Sequence, residues 1–260
     1  MKNFLSKKSI LGTMAVAAVC MLGTTSVNAQ EFTIQGDFVS SYVWRGVYQG
    51  GAASFQPTLG FNAGNFSLTA WGSTSLSESN KEIDLTAAYK FGEAGPTLSV
   101  ASLWWAGQAE SGYSNNYFHL NSHETAHHFE VGLSYTLPVE KFPLSIAWYT
   151  MFAGADKKVN DEGEVKQNYS SYLELNYPFT VKDVDLNATV GMLPYEAGYN
   201  NDGSYIYGGS NSGFAVTNVA LKATKAINFN KKFSLPVFVQ AIWNPRIEDA
   251  HLVFGVTLRP

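Results

Sequence analysis

The chain has 260 residues, 45% hydrophobic and 14% aromatic, yet only 15% are charged, where an ordinary soluble domain carries about 25%. With 17 basic and 21 acidic residues and a formal charge of −4, there is no basic excess to grip a phosphate backbone, which excludes nucleic acid as a partner. A single cysteine, Cys20, excludes a disulfide framework.

Residues 1–29 read as a secretory signal: Lys2, Lys7 and Lys8, an apolar run from Ile10 to Leu22, then Val27-Asn28-Ala29 ahead of Gln30. The run is shorter than the roughly 20 residues that span a bilayer, and Val19 is too bulky for lipidation at Cys20. Cleavage after Ala29 removes three lysines and no acid, which takes the formal charge from −4 to −7.

From residue 30 to residue 260 the chain reads as one domain. No helical period is sustained, and apolar and polar residues alternate with period two almost throughout, the mark of strands with two unlike faces. In IDLTAAYKF, Ile83, Leu85, Ala87, Tyr89 and Phe91 share one parity, with Asp84, Thr86 and Lys90 on the other. The same reading predicts strands near 32–46, 54–63, 66–76, 82–92, 97–106 and 127–137, then near 143–153, 168–178, 183–193, 214–225, 233–243 and 250–259.

The connections separate by length. Every second one is short, from Gly64-Asn65 to GEAGP, PVEKF, PFTVK and INFNKK, whereas the others include long polar loops near 107–126, 154–167 and 194–213. Twelve antiparallel strands with short turns at one end and long loops at the other form the pattern of an outer-membrane β-barrel. A backbone in lipid must satisfy its own hydrogen bonds, so the first strand is expected beside the twelfth in an all-β, closed barrel. On the apolar parity, Trp44, Trp104, Trp148 and Trp243 are expected to face outward near the long-loop ends, with Phe61, Phe91, Tyr135 and Tyr177 near the short turns. Those would be two interfacial belts.

The opening stretch GDFVSSYVWRGVYQGGAASFQPTLGF resembles the start of the TorF-like family of outer-membrane porins. The shared elements are an aspartate and serine before Tyr42, then Trp44-Arg45-Gly46, a polar loop, and Gln56-Pro57 in the next strand. The resemblance covers roughly 40 residues and implies a porin-like integral outer-membrane protein. One departure is the end, LVFGVTLRP, because outer-membrane barrels commonly finish on an aromatic that the barrel-assembly machinery reads.

Charges on the inward parity are costly against lipid and natural in a wet interior. They mark Asp37, Arg45, Glu82, Asp84, Lys90, Glu130, Glu174, Asp185 and Lys222 as candidate pore-lining residues. Arg45 stands out, since an inward guanidinium there needs carboxylate partners. About 8 strands leave a filled interior and 16 to 18 leave a channel, so twelve lies between. Inward Trp71, Trp105, Tyr149, Tyr172 and Phe238 would narrow it.

His123-Glu124-Thr125-Ala126-His127 matches the zinc-protease pattern H-E-x-x-H, which needs a helix to bring positions i and i+4 onto one ion. Phe129 to Leu137 alternates with period two. In extended chain, four residues span roughly 13 Å, so no zinc site and no cofactor is expected. Ser102 and His127 share the outward face, but a pairing of Ala106 with His127 would hold them roughly 13 Å apart, so an enzyme is not expected. The expected activity is passive diffusion of small solutes through a barrel in the bacterial outer membrane, with long loops extracellular and both termini periplasmic. A structural barrel, or one whose loop from Tyr199 to Gly213 binds a surface partner, is the alternative.

Overall fold

The computed structural model describes residues 30–50, 52–106, 113–121, 123–160, 162–195, 206–207, 213–230 and 233–259. The signal expected over 1–29, most of the loop 194–213, and Pro260 lie outside the described residues.

In chain order the strands are β1 (Glu31–Val39), β2 (Tyr42–Trp44), β3 (Val47–Gly50), β4 (Ser54–Ala63), β5 (Phe66–Ser75), β6 (Lys81–Lys90), β7 (Thr97–Ala106) and β8 (His127–Thr136). They continue as β9 (Ser145–Gly154), β10 (Lys157–Val159), β11 (Val165–Gln167), β12 (Ser171–Val181), β13 (Val184–Leu193), β14 (Ala215–Asn230), β15 (Phe233–Asn244) and β16 (Asp249–Leu258). Twelve of these form a closed antiparallel barrel in the order β1-β16-β15-β14-β13-β12-β9-β8-β7-β6-β5-β4. The remaining four make two small hairpins, β2 with β3 and β10 with β11.

Alternation is what makes the wall. Phe32, Ile34, Leu59, Val100, Leu133, Leu221, Leu252 and Phe254 are exposed on the outer face, which is costly against water and favourable against hydrocarbon. The barrel closes where Gly36 to Val39 pair with Leu258 to Gly255, leaving no spanning edge strand there. At the short-turn end, outward rings meet in pairs: Phe32 with Phe61 at 5.1 Å, Tyr89 with Phe91 at 5.1 Å and Phe142 with Tyr177 at 5.2 Å.

The long-loop end departs from the expected tryptophan belt. Trp243 is outward and 51% exposed. Trp104 keeps that parity but is covered by Tyr117, whose ring lies 5.3 Å away. Trp148 is the fourth residue of β9 and so lies toward the short-turn end. Trp44 is not in the wall at all, because the strand expected over 32–46 stops at Val39.

The chain turns inward at Ser40, whose N–H donates to the Phe254 carbonyl and whose Oγ accepts from the Phe254 N–H. It then forms the β2–β3 hairpin, with Trp44 paired to Val47 across a two-residue connection, Arg45-Gly46. Both connecting residues have positive φ, 50° and 82°, the pattern of the tight turns that match strand twist.

Candidate functional site: the lumen hairpin

The β2–β3 hairpin places Arg45 in the middle of the lumen. Its Nη1 donates to Glu130 Oε2 at 2.7 Å and its Nη2 to Oε1 at 2.9 Å, a two-pronged pair with the inward carboxylate of β8. Nη1 also donates to the Tyr207 hydroxyl at 2.9 Å. The guanidinium lies 4.6 Å from each of the ring centres of Trp44, Tyr149 and Tyr172. The side chains of Arg45 and Glu130 are only 11% and 6% exposed. Planar donors suit both the carboxylate fork and the ring faces, which is why Arg rather than Lys serves here.

The far side of the hairpin is pinned as firmly. Asn244 on β15 donates to the Gly46 carbonyl at 3.1 Å, and Tyr48 stacks on His251 of β16 at 5.0 Å. Tyr42 packs on Trp71 of β5 at 5.5 Å. A Cβ on Gly46 would come within 1.8 Å of the Thr217 carbonyl oxygen on β14, so only glycine seats at this point. On β13, Gly191 leaves the space that the Tyr172 ring fills. Trp44 links two buried clusters, Ala101, Leu103, Trp105 and Met151 on one side and Tyr172, Leu193 and Tyr207 on the other.

Below this packed level the inward residues are small and polar. Asn187 and Thr189 both donate to Asn176 Oδ1, at 3.1 and 2.6 Å, and Thr180 donates to Asp185 at 3.0 Å. Lys222 rests its ammonium 3.9 Å from the Phe238 ring centre.

All nine charged candidates lie on inward positions or in the hairpin. Arg45 and Glu130 are brought together, whereas Asp37 is within 3.4 Å of Gln35 and Glu174 accepts from Tyr172 and Asn176. Lys90 stands exposed at the short-turn end. Glu82 and Asp84 are successive inward residues of β6, and neither takes a hydrogen bond of normal length at its buried oxygens. Trp44, Tyr42, Tyr207, Asn244 and His251 belong to the same assembly and carry no charge pattern that would have singled them out.

On the outer face one distance expected from the sequence is overturned. Trp104, not Ala106, pairs with His127, so Ser102 becomes a diagonal neighbour, and its Oγ lies 2.7 Å from His127 Nδ1. The other ring nitrogen of His127 lies 2.6 Å from the Tyr117 carbonyl, and the ring is 1% exposed beneath that loop. The histidines disperse: His119 pairs with Glu124 at 3.1 Å, and His128 packs inward on Trp105 at 4.8 Å. Segment 123–127 is turn and strand rather than helix. Among the described residues no group of three or more His, Cys, Asp or Glu is arranged around one ion.

Fold and lumen together define a membrane-type β-barrel with a hairpin folded into its interior. No family model matches the chain, and no curated protein matches it. Solved structures similar to it include the NanC porin, at TM-score 0.47 and 9% identity over 87% of this chain and 98% of that one. An outer membrane channel from Pseudomonas putida F1 aligns at TM-score 0.41 and 10% identity, over 90% and 95% of the two chains. The translocator domain of the autotransporter NalP from Neisseria meningitidis gives 0.39 and 12%, over 96% and 94%. These are likenesses of barrel architecture, and no activity is carried over from them.

Proposed function

We propose that the chain is an integral outer-membrane barrel that acts as a narrow porin for passive diffusion of small solutes, with the β2–β3 hairpin setting the constriction. The observation that carries this reading is the lumen itself. Its lower half is lined by amides, hydroxyls and charges, and its upper half is closed by contacts between side chains rather than by the wall. The apolar outer face supports a lipid environment, and Trp44-Arg45-Gly46, one of the shared elements of the TorF-like resemblance, contains the hairpin turn. In this reading the long loops face outward from the cell, both termini lie in the periplasm, and the barrel-assembly machinery inserts the chain.

Conductance of the refolded protein in planar bilayers tests it. Small, reproducible conductance steps are expected from the wild type and larger ones from Gly46→Ala, whose hairpin cannot seat. A folded barrel that leaves the bilayer silent in both forms, across salts and voltages, would overturn the porin reading. The second reading, a structural barrel without a conducting pore, is favoured by the packing of Arg45 and Glu130 across the lumen and would then stand.

A further inference from the structure

The Arg45 guanidinium shows what this lumen uses to hold a cation: a carboxylate at hydrogen-bond distance and aromatic faces at 4.6 Å. A second set of side chains of the same kind lies beside it on β5, β6 and β7. Glu82 pairs with Trp105 and Ser73 on its two neighbouring strands, and Asp84 pairs with Trp71. Tyr42 of the hairpin packs over Trp71 at 5.5 Å. From this we infer that Glu82 and Asp84, with Tyr42, Trp71 and Trp105, form a subsite for the primary ammonium group of a small organic solute. The assignment rests on the porin reading for how the solute arrives, but not for its binding.

Three observations support it. First, Glu82 is 3% exposed, and although Tyr42, Trp105 and Asp84 approach its carboxylate, neither of its oxygens, nor Oδ1 of Asp84, closes a hydrogen bond of good geometry. Buried carboxylates of this kind are tolerated when they are paired. Second, the protein supplies no cation: the two Arg45 nitrogens serve Glu130, and no ion pair among the described residues involves Glu82 or Asp84. Lys81, next in sequence, borders the same space, but it is exposed and forms no ion pair with either carboxylate.

Third, the space has a size. A cavity of about 20 Å³ lies between hairpin and wall, its lining including Tyr42, Ser54, Ser73, Lys81, Glu82 and Trp105. That volume holds one water-sized group. A primary ammonium fits and has three N–H donors, for which the Glu82 carboxylate and the Ser54 and Ser73 hydroxyls are acceptors. A quaternary ammonium is too large and has nothing to donate. The rings of Tyr42 and Trp71 give the adjoining methylenes an apolar, cation-tolerant surface.

The test is a titration of refolded barrel in detergent micelles with butylammonium chloride, read by tryptophan fluorescence and by calorimetry. Tetramethylammonium and sodium chlorides at equal ionic strength are the controls. Saturable butylammonium binding is expected, weaker by about tenfold or more in Glu82→Gln, in line with loss of a charge-assisted hydrogen bond. Ser73→Ala should weaken it less, and Glu164→Gln, in an exposed loop, should leave it unchanged. Absence of saturable binding to the folded wild type overturns the subsite. So does equal binding by Glu82→Gln, or equal binding of tetramethylammonium or sodium. Because binding needs no current, a barrel that binds but never conducts overturns the porin reading alone, and one that conducts without binding overturns the subsite alone.

Discussion

The two halves of the lumen use the same inward parity for opposite ends. Toward the long loops it carries Trp105, Tyr149, Met151 and Tyr172, which with the hairpin make a packed interior around one ion pair. Toward the short turns it carries Asn176, Asn187, Thr189 and Lys222, of which the first three bond to one another and the last rests on the Phe238 ring. A barrel of this size is thus neither filled nor open by strand number alone. The difference is made by one inserted hairpin and by the glycines that leave room for it and for the rings around it. Substitutions in the packed half should therefore change stability and permeability together, and those in the polar half should change selectivity with the fold intact.

Arg45→Ala should have the largest effect. It leaves the Glu130 carboxylate, 5% exposed, without its partner, and breaking a buried pair by removing one member costs about 3–5 kcal/mol. A clear fall in the temperature at which the folded barrel unfolds, followed by heat-dependent gel mobility, is expected together with larger conductance steps. Arg45→Lys should fall between, because an ammonium cannot reach both carboxylate oxygens in the fork geometry. If Arg45→Ala melts like the wild type, the upper half is not held by this pair.

Gly46→Ala comes next, and it separates the hairpin from the wall. Positive φ at a non-glycine residue costs on the order of 1–3 kcal/mol, and the added Cβ would lie 1.8 Å from the Thr217 carbonyl oxygen. The turn should shift away from Thr217 while Arg45 stays anchored to Glu130 and Tyr207 and the twelve-strand ladder keeps its bonds, so conductance should rise with a smaller loss of thermal stability than in Arg45→Ala. Equal losses in the two variants would mean that hairpin and wall unfold as one unit.

Much of this was legible in the residues. Strand parity was readable because an outward face against lipid and an inward face against water force a period of two, and the need of Arg45 for a carboxylate followed from its charge alone. The hairpin was not, since Phe38, Val43 and Trp44 continue the look of a strand and the turn needs positive φ at an arginine. Tyr207 reaches Arg45 from 162 positions away, a pairing no local pattern encodes. The register of β7 on β8 lies two residues from the expected one, because the long loop between them hides where pairing starts. That shift brings Ser102 and His127 into contact.

Lys222→Glu probes the polar half. The ammonium over the Phe238 ring would be replaced by a carboxylate on a negative ring face, at a cost of about 0.5–1 kcal/mol or little more. Inverting an inward charge should shift the reversal potential under a salt gradient toward cation preference, with unfolding temperature nearly unchanged. A large stability loss here would erase the distinction between the two halves.

The smallest effect tests whether the loops above the packed half contribute to holding it. Asp156, beyond the end of β9, accepts from the Ser170 backbone N–H at 2.9 Å and from Gln167 at 3.1 Å, and Gln167 also donates to the carbonyl of buried Met151 at 3.1 Å. Burial pushes the Asp156 carboxyl above its ordinary value of 3.8, and the hydrogen bonds from Ser170 and Gln167 offset only part of that. The folded state then binds the proton more tightly than the unfolded one, so this group favours folding below its ordinary value and loses that contribution as pH rises through the raised one. Asp156→Asn removes the titration while keeping an acceptor for Ser170. The difference in unfolding temperature between wild type and variant should move in favour of the wild type as pH falls from neutrality toward 3.8. A difference that is flat in pH would show that Asp156 titrates alike in the folded and the unfolded chain, and that the clasp does not hold its carboxyl out of water.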